Sequence, residues 1–222
     1  MEIKILDVKD DIIVENDKHA KIFREELKAK KTTFLNLMSS PGSGKTTTLT
    51  QVINRLKGKI EVAVLEADID GDCDAYTISE KTGAKVIQLH TGGMCHLDAG
   101  MTRRGLEELN SDADLVVLEN IGNLVCPCEF DTGANINVCI LSVPEGDDKP
   151  LKYPLMFSVC DLIVINKIDT LPVFNFDIEK VRKAVYELNP NTVIIPVSAK
   201  TGEGIDDLCA YIEKRVNEWR NY

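Results

Sequence analysis

The chain has 222 residues and a mass of 24.6 kDa, with 44% hydrophobic and 28% charged side chains, the balance of an ordinary globular domain with an ample core. Its formal net charge of −10 speaks against general binding to nucleic acid or to an anionic membrane surface. No apolar run approaches the roughly 20 residues that span a bilayer, the acidic start is no secretory leader, and seven cysteines, an odd number, suit thiols and metal in the cytoplasm better than a disulfide framework.

The first predicted element is a helix over 16–30 with Ala20, Phe23 and Leu27 on one side; His19 falls on its surface. The apolar run 33–38 then reads as a strand. Residues 39–47, Ser-Ser-Pro-Gly-Ser-Gly-Lys-Thr-Thr, join it to a predicted helix from Thr47 to Leu56. A glycine-rich turn between strand and helix lets backbone N–H groups wrap a phosphate chain, and the helix N-terminus adds its positive dipole end. Gly42, Ser43, Gly44, Lys45, Thr46 and Thr47 are the expected phosphate contacts. Lys45 would reach the β- and γ-phosphates and the Thr46 hydroxyl would hold Mg²⁺. The pattern usually opens with Gly; Ser39 stands there instead.

The run 61–67 predicts a strand ending at Asp68, an acidic candidate for Mg²⁺ or the attacking water. Asp70, Asp72 and Asp74 read as a solvated acidic loop, with Cys73 an exposed loop thiol. After a strand at 86–89, with His90 at its end or behind the ligands, comes Gly92-Gly93-Met94-Cys95-His96. The strand 115–119 leads into Glu119-Asn120-Ile121-Gly122, and then Val125-Cys126-Pro127-Cys128. Glu119 is placed on Mg²⁺, through water, and the Gly122 N–H where it could sense a γ-phosphate. Thiolate and imidazole suit Zn²⁺ and Ni²⁺, and the Gly92–His96 and Val125–Cys128 segments leave the same edge of the sheet, so they can converge on one ion; Cys126 and Cys128 read as a shared turn with one ligand and one bystander. Cys139, Cys160 and Cys209 lie in apolar runs and read as core.

Strands follow at 137–142, 161–165 and 193–197, and helices at 177–188 and 205–219. Asn166-Lys167-Ile168-Asp169 trails the sixth strand. Paired oxygens on Asp169 can accept from N1–H and the 2-amino group of guanine, which adenine lacks. The Asn166 amide is expected to donate to the base while the Lys167 stem covers its face. Ser198-Ala199-Lys200 looks like the accompanying base-binding loop of GTPases. Lys45, Asp68, Glu119 and Gly122 form the expected catalytic set; with no evident general base, intrinsic turnover should be low. The alternation of strand and helix predicts an α/β fold of the P-loop NTPase type, a mostly parallel sheet of about seven strands with helices on both faces and ligands at the strands' carboxyl ends. Residues 1–222 read as one domain, 1–31 being a helical extension without a cysteine-rich motif.

Ser39–Thr47, Cys95-His96-Leu97-Asp98, Glu119–Pro127, Glu145–Pro154 and Asn166–Asp169 together resemble the HypB family, SIMIBI-class GTPases that help insert nickel into [NiFe]-hydrogenase. The resemblance covers about residues 33–215. It implies GTP/GDP and Mg²⁺ as ligands, metal held by residues matching Cys95, His96 and Cys126, GTP-dependent homodimerisation, and a small zinc-containing partner that passes nickel toward the hydrogenase large subunit. Without a cysteine-rich or histidine-rich storage motif, transfer is the implied job rather than storage. The other readings are a urease-type or other metal-cofactor GTPase, which an adjacent Cys95-His96 fits less well, and a regulatory GTPase with a structural zinc.

Overall fold

Seven parallel strands form one sheet in the order β3-β2-β4-β1-β5-β6-β7 in the computed structural model, which describes residues 8–221. Residues 1–7 of the expected N-terminal extension lie outside the described residues. The strands are β1 Thr33–Ser39, β2 Val62–Asp68, β3 Lys85–His90, β4 Leu115–Gly122, β5 Ile136–Ser142, β6 Leu162–Asn166 and β7 Val193–Pro196. β1 and β6 are buried along their whole length, as expected where helices cover both faces of a parallel sheet. The order places β1 between β4 and β5 at the switch in winding direction, so loops leaving these strands share one crevice.

The main helices are α1 Val8–Ala29, α2 Lys45–Leu56, α3 Cys73–Thr82, α4 Ala99–Leu109, α7 Ile178–Leu188 and α8 Ile205–Arg220, with two short ones, α5 Lys149–Lys152 and α6 Pro154–Ser158. α2 and α8 bury Leu49, Val52, Ile212 and Val216 against Leu35 and Val117 on one sheet face. α1 and α4 cover part of the other face, where Phe23 meets Phe34 edge-on with ring centres 5.8 Å apart. Among the described residues no helix is long and apolar enough to cross a membrane.

Two helices depart from expectation. The supposed acidic loop holds the start of α3: Cys73 is exposed but helical, and Asp74 lies in the first turn. Gly83, at φ +72°, closes that helix. α4 buries Ala99, Thr102, Gly105 and Leu109, only the last of them a large apolar residue, so its fully buried face shows little hydrophobic pattern in the sequence. Gly105 lets the helix sit tightly on the sheet, since a Cβ there would lie 3.1 Å from Leu89. β4 also continues past Glu119, the expected end of the strand, to Gly122.

Candidate nucleotide site and thiol pair

The loop between β1 and α2 needs two left-handed residues, Gly42 at φ +73° and Gly44 at φ +98°. A Cβ at Gly44 would collide with the Asn166 amide. Ser39 is a hub: its Oγ accepts from Ser43 Oγ at 2.6 Å and from Lys45 Nζ at 3.1 Å. The serine that replaces the usual glycine thus holds the lysine. Lys45, Thr46 and Thr47 form the first turn of α2, whose free N–H groups face the loop.

Asn166 is held by bonds within the chain. It is 2% exposed, donates from Nδ2 to Ser43 O at 2.9 Å and accepts at Oδ1 from Ala199 N at 3.1 Å. The amide pins the phosphate loop to the Ser198–Lys200 loop. Lys167, at φ +63°, folds its Nζ onto Gly42 O at 2.6 Å. Ser198 Oγ donates to Asp169 Oδ1 at 2.6 Å and fixes the plane of that carboxylate. Ala199 contributes backbone, and the Lys200 side chain is exposed.

Thr46 Oγ1 donates to Glu119 Oε1 at 2.7 Å. Glu119 is 1% exposed and its Oε2 has no hydrogen-bond partner. In register with it on β2 is Glu66, 3% exposed, whose Oε2 also lacks a partner. Burial pushes the Glu66 carboxyl up to about 8 and that of Glu119 up to about 7, with Lys45 and the Thr46 bond opposing the latter shift. Glu66, Asp74 and Glu119 are the one set of three His, Cys, Asp or Glu donors among the described residues with ligand atoms within 4.8 Å of one another. Orphaned buried oxygens beside a threonine hydroxyl form a donor set that fits Mg²⁺. Asp68 is not in that set: its Oδ1 accepts from Asp70 N at 3.0 Å and Gly71 N at 2.7 Å, bonds that hold its pKa low and shape the turn. Glu66 went unassigned in the sequence, although a glutamate inside the apolar run Val62–Ala67 was a signal, and Asp74 was read there as part of a solvated acidic loop. Gly122 packs against Pro41, which a Cβ would approach to 3.1 Å, and so joins the end of β4 to the phosphate loop.

The metal candidates are brought together only in part. Cys126 has Cys95 beside it, and that neighbour together with burial raises the pKa of its thiol. His96 does not complete a triplet, because its ring stacks on Phe130 with centres 3.9 Å apart and planes 9° off parallel. Cys128 donates to Val125 O at 3.0 Å, and burial pushes its thiol up to about 11. Cys139, Cys160 and Cys209 are buried, as expected; His90 is exposed at the end of β3, and His19 is exposed on α1.

Comparison with known proteins matches this geometry to one family. The model of the CobW/HypB/UreG nucleotide-binding domain matches residues 33–196. The chain is 45% identical over 211 residues to the hydrogenase maturation factor HypB of Escherichia coli, covering 95% of this chain and 72% of that protein. It is 39% identical over 217 residues to a probable HypB of Methanocaldococcus jannaschii, covering 97% and 98% respectively. The crystal structure of HypB from Helicobacter pylori in complex with nickel superimposes with a TM-score of 0.87 at 36% identity, covering 92% of this chain and 96% of that one.

Proposed function

The chain belongs to the HypB group of the CobW/HypB/UreG nucleotide-binding family, and from that premise we propose that it is a GTP-hydrolysing metallochaperone assisting nickel insertion into [NiFe]-hydrogenase. The observation that carries the reading is the continuity of β4. That strand holds Glu119 2.7 Å from the Thr46 hydroxyl, ends at Gly122 against Pro41 and is joined by residues 123–125 alone to the Cys126 turn.

In this reading residues 42–47 wrap the triphosphate and Asp169 accepts from N1–H and the 2-amino group of guanine. Asn166 and Ser198 hold the loops that do so. Thr46 and Glu119 would hold Mg²⁺, with Glu66 and Asp74 supplying further negative charge. Bound there, the ion neutralises charge on the phosphate oxygens. Lys45 stabilises charge growing on the β–γ bridge as water attacks the γ-phosphorus in line; the bond to the bridging oxygen breaks and GDP and phosphate leave. Among the described residues no side chain stands out as a strong base for that water, so intrinsic turnover is low and the domain acts as a slow switch.

The cargo site is the Cys95–Cys126 pair with His96 once its ring leaves Phe130. Pairing of two copies in the GTP state brings two such sets together and completes a shell for Ni²⁺ or Zn²⁺. A small zinc-containing maturation protein and, beyond it, the hydrogenase large subunit are the partners, in the cytoplasm. Sedimentation and metal titration of the GTP-analogue and GDP forms test this. A dimer with tighter metal binding is expected with the analogue, and equal mass with equal affinity in both states would overturn it. Metal must favour the dimer as much as the dimer favours metal.

A further inference from the structure

Helix α1 does more than cover a sheet face. Its Asn16 is 7% exposed and engages backbone at both ends of its amide: Nδ2 donates to Asp131 O at 2.9 Å and Oδ1 accepts from Ala99 N at 2.9 Å. Ala99 opens α4 directly after Cys95-His96-Leu97-Asp98, and Asp131 closes the segment that carries Cys126. One buried side chain therefore spans the segments that carry Cys95 and Cys126. Further along α1, Arg24 grips the Asp131 carboxylate through two parallel bonds of 2.7 Å and reaches Ala134 O at 3.3 Å. Bidentate pairs of this kind fix geometry as well as adding energy. The Phe23 ring lies under Gly133, at φ +82°, where a Cβ would collide with it.

The sheet alone does not set the spacing of these segments. Cys95 follows β3 and Cys126 follows β4, with β2 between them. A space of about 280 Å³ between α1 and the Cys126 segment, bounded by Ile13, Pro127 and Phe130, leaves that segment room to shift if its ties are cut. The ties also stand apart from the phosphate loop: Phe23 and Leu27 pack on the sheet face opposite the one that α2 covers.

We propose that α1 is the positioning element of the thiol site, with Asn16 and Arg24 setting the approach of Cys95 to Cys126 while taking no part in nucleotide chemistry. The proposal rests on the reading of Cys95 and Cys126 as metal donors. The test is titration of the full chain with Ni²⁺ and with Zn²⁺, alongside kcat and KM for GTP in the same preparations. The proteins compared are the unaltered chain, Asn16→Leu, which removes both amide bonds at near-constant volume, Arg24→Lys, which keeps the charge but loses the fork, and Cys126→Ala.

Groups that orient metal ligands typically change affinity by about 10–100-fold when removed, and that loss is expected of Asn16→Leu, with a smaller one for Arg24→Lys. Both should keep unaltered kcat and KM for GTP, which also reports that they are folded. Full metal affinity in both α1 variants, with loss in Cys126→Ala, would overturn the positioning role alone. Parallel loss of GTP hydrolysis and metal binding in both would reduce α1 to general support and overturn it too. Full affinity in Cys126→Ala would sink the thiol site, and the positioning role with it.

Discussion

Around the phosphate loop the polar side chains already hold one another: Ser43 and Lys45 meet at Ser39, Asn166 ties Ser43 to Ala199, and Ser198 orients Asp169. At the thiols, by contrast, Cys126 has Cys95 beside it while His96 stacks on Phe130 and Cys128 bonds to its own backbone. Phosphate recognition is mostly backbone geometry over a few consecutive residues, so one strand, one turn and one helix can prebuild it. A metal shell needs donors from distant segments, and these donors are also held in other contacts within the chain. The first region reads as a fixed binding surface and the second as a site that something else must complete.

The largest effect that would break this contrast is expected at Lys45. Lys45→Ala should lower kcat for GTP by about 10²–10³-fold or more, because it removes a preorganised charge from the transition state. It should weaken triphosphate binding more than diphosphate binding and leave metal affinity in the GDP form unchanged. Near-normal hydrolysis would show that the prebuilt loop is not where phosphate chemistry occurs. Asp169→Asn comes next. It replaces an acceptor pair by an amide with a donor, which should cost roughly 1–3 kcal/mol in GTP binding while xanthine nucleotides gain. Competition binding of GTP, XTP and ATP decides it; equal GTP and ATP affinity in the unaltered chain would remove guanine recognition from the account.

The same contrast explains what was legible in the sequence. All seven strands and the phosphate loop could be read because each is a contiguous pattern, an apolar run or a glycine turn in register with Lys45 and Thr46. α4 escaped because three of its four buried residues, Ala99, Thr102 and Gly105, carry almost no hydrophobic signal and only Leu109 does. α3 escaped because it starts inside an acidic run and buries only Ile78 and Thr82. Asn166 could be placed after β6, but not its partners: Ser43 O and Ala199 N become neighbours only when the sheet brings three loops together. His96 was judged by its neighbour in sequence, whereas the ring that decides its orientation, Phe130, comes from another loop.

The smallest expected effect concerns the carboxylates that lie between the two regions. Burial holds Glu66 up near 8 and Glu119 up near 7, so the folded protein binds protons there that the unfolded chain has lost above its ordinary carboxylate pKa of about 4.5. Each unit of such a shift is worth about 1.4 kcal/mol. The sign follows: the stabilisation is complete below the unfolded pKa and is lost as pH rises through the folded values, so the magnesium-free chain should be less stable at pH 8 than at pH 6. Mg²⁺ must displace those protons at pH 6 but meets charged carboxylates at pH 8. Its gain in Tm should therefore be larger at the higher pH. Calorimetry in EDTA and in Mg²⁺ at both pH values checks this, with Glu66→Gln as the comparison, since removing that one titration should flatten the pH dependence between 6 and 8. Equal magnesium gains at the two pH values, or a Glu66→Gln chain with the pH dependence of the unaltered one, would mean that the acidic cluster belongs to the prebuilt half as a fixed structural contact rather than to the half that waits for a cation.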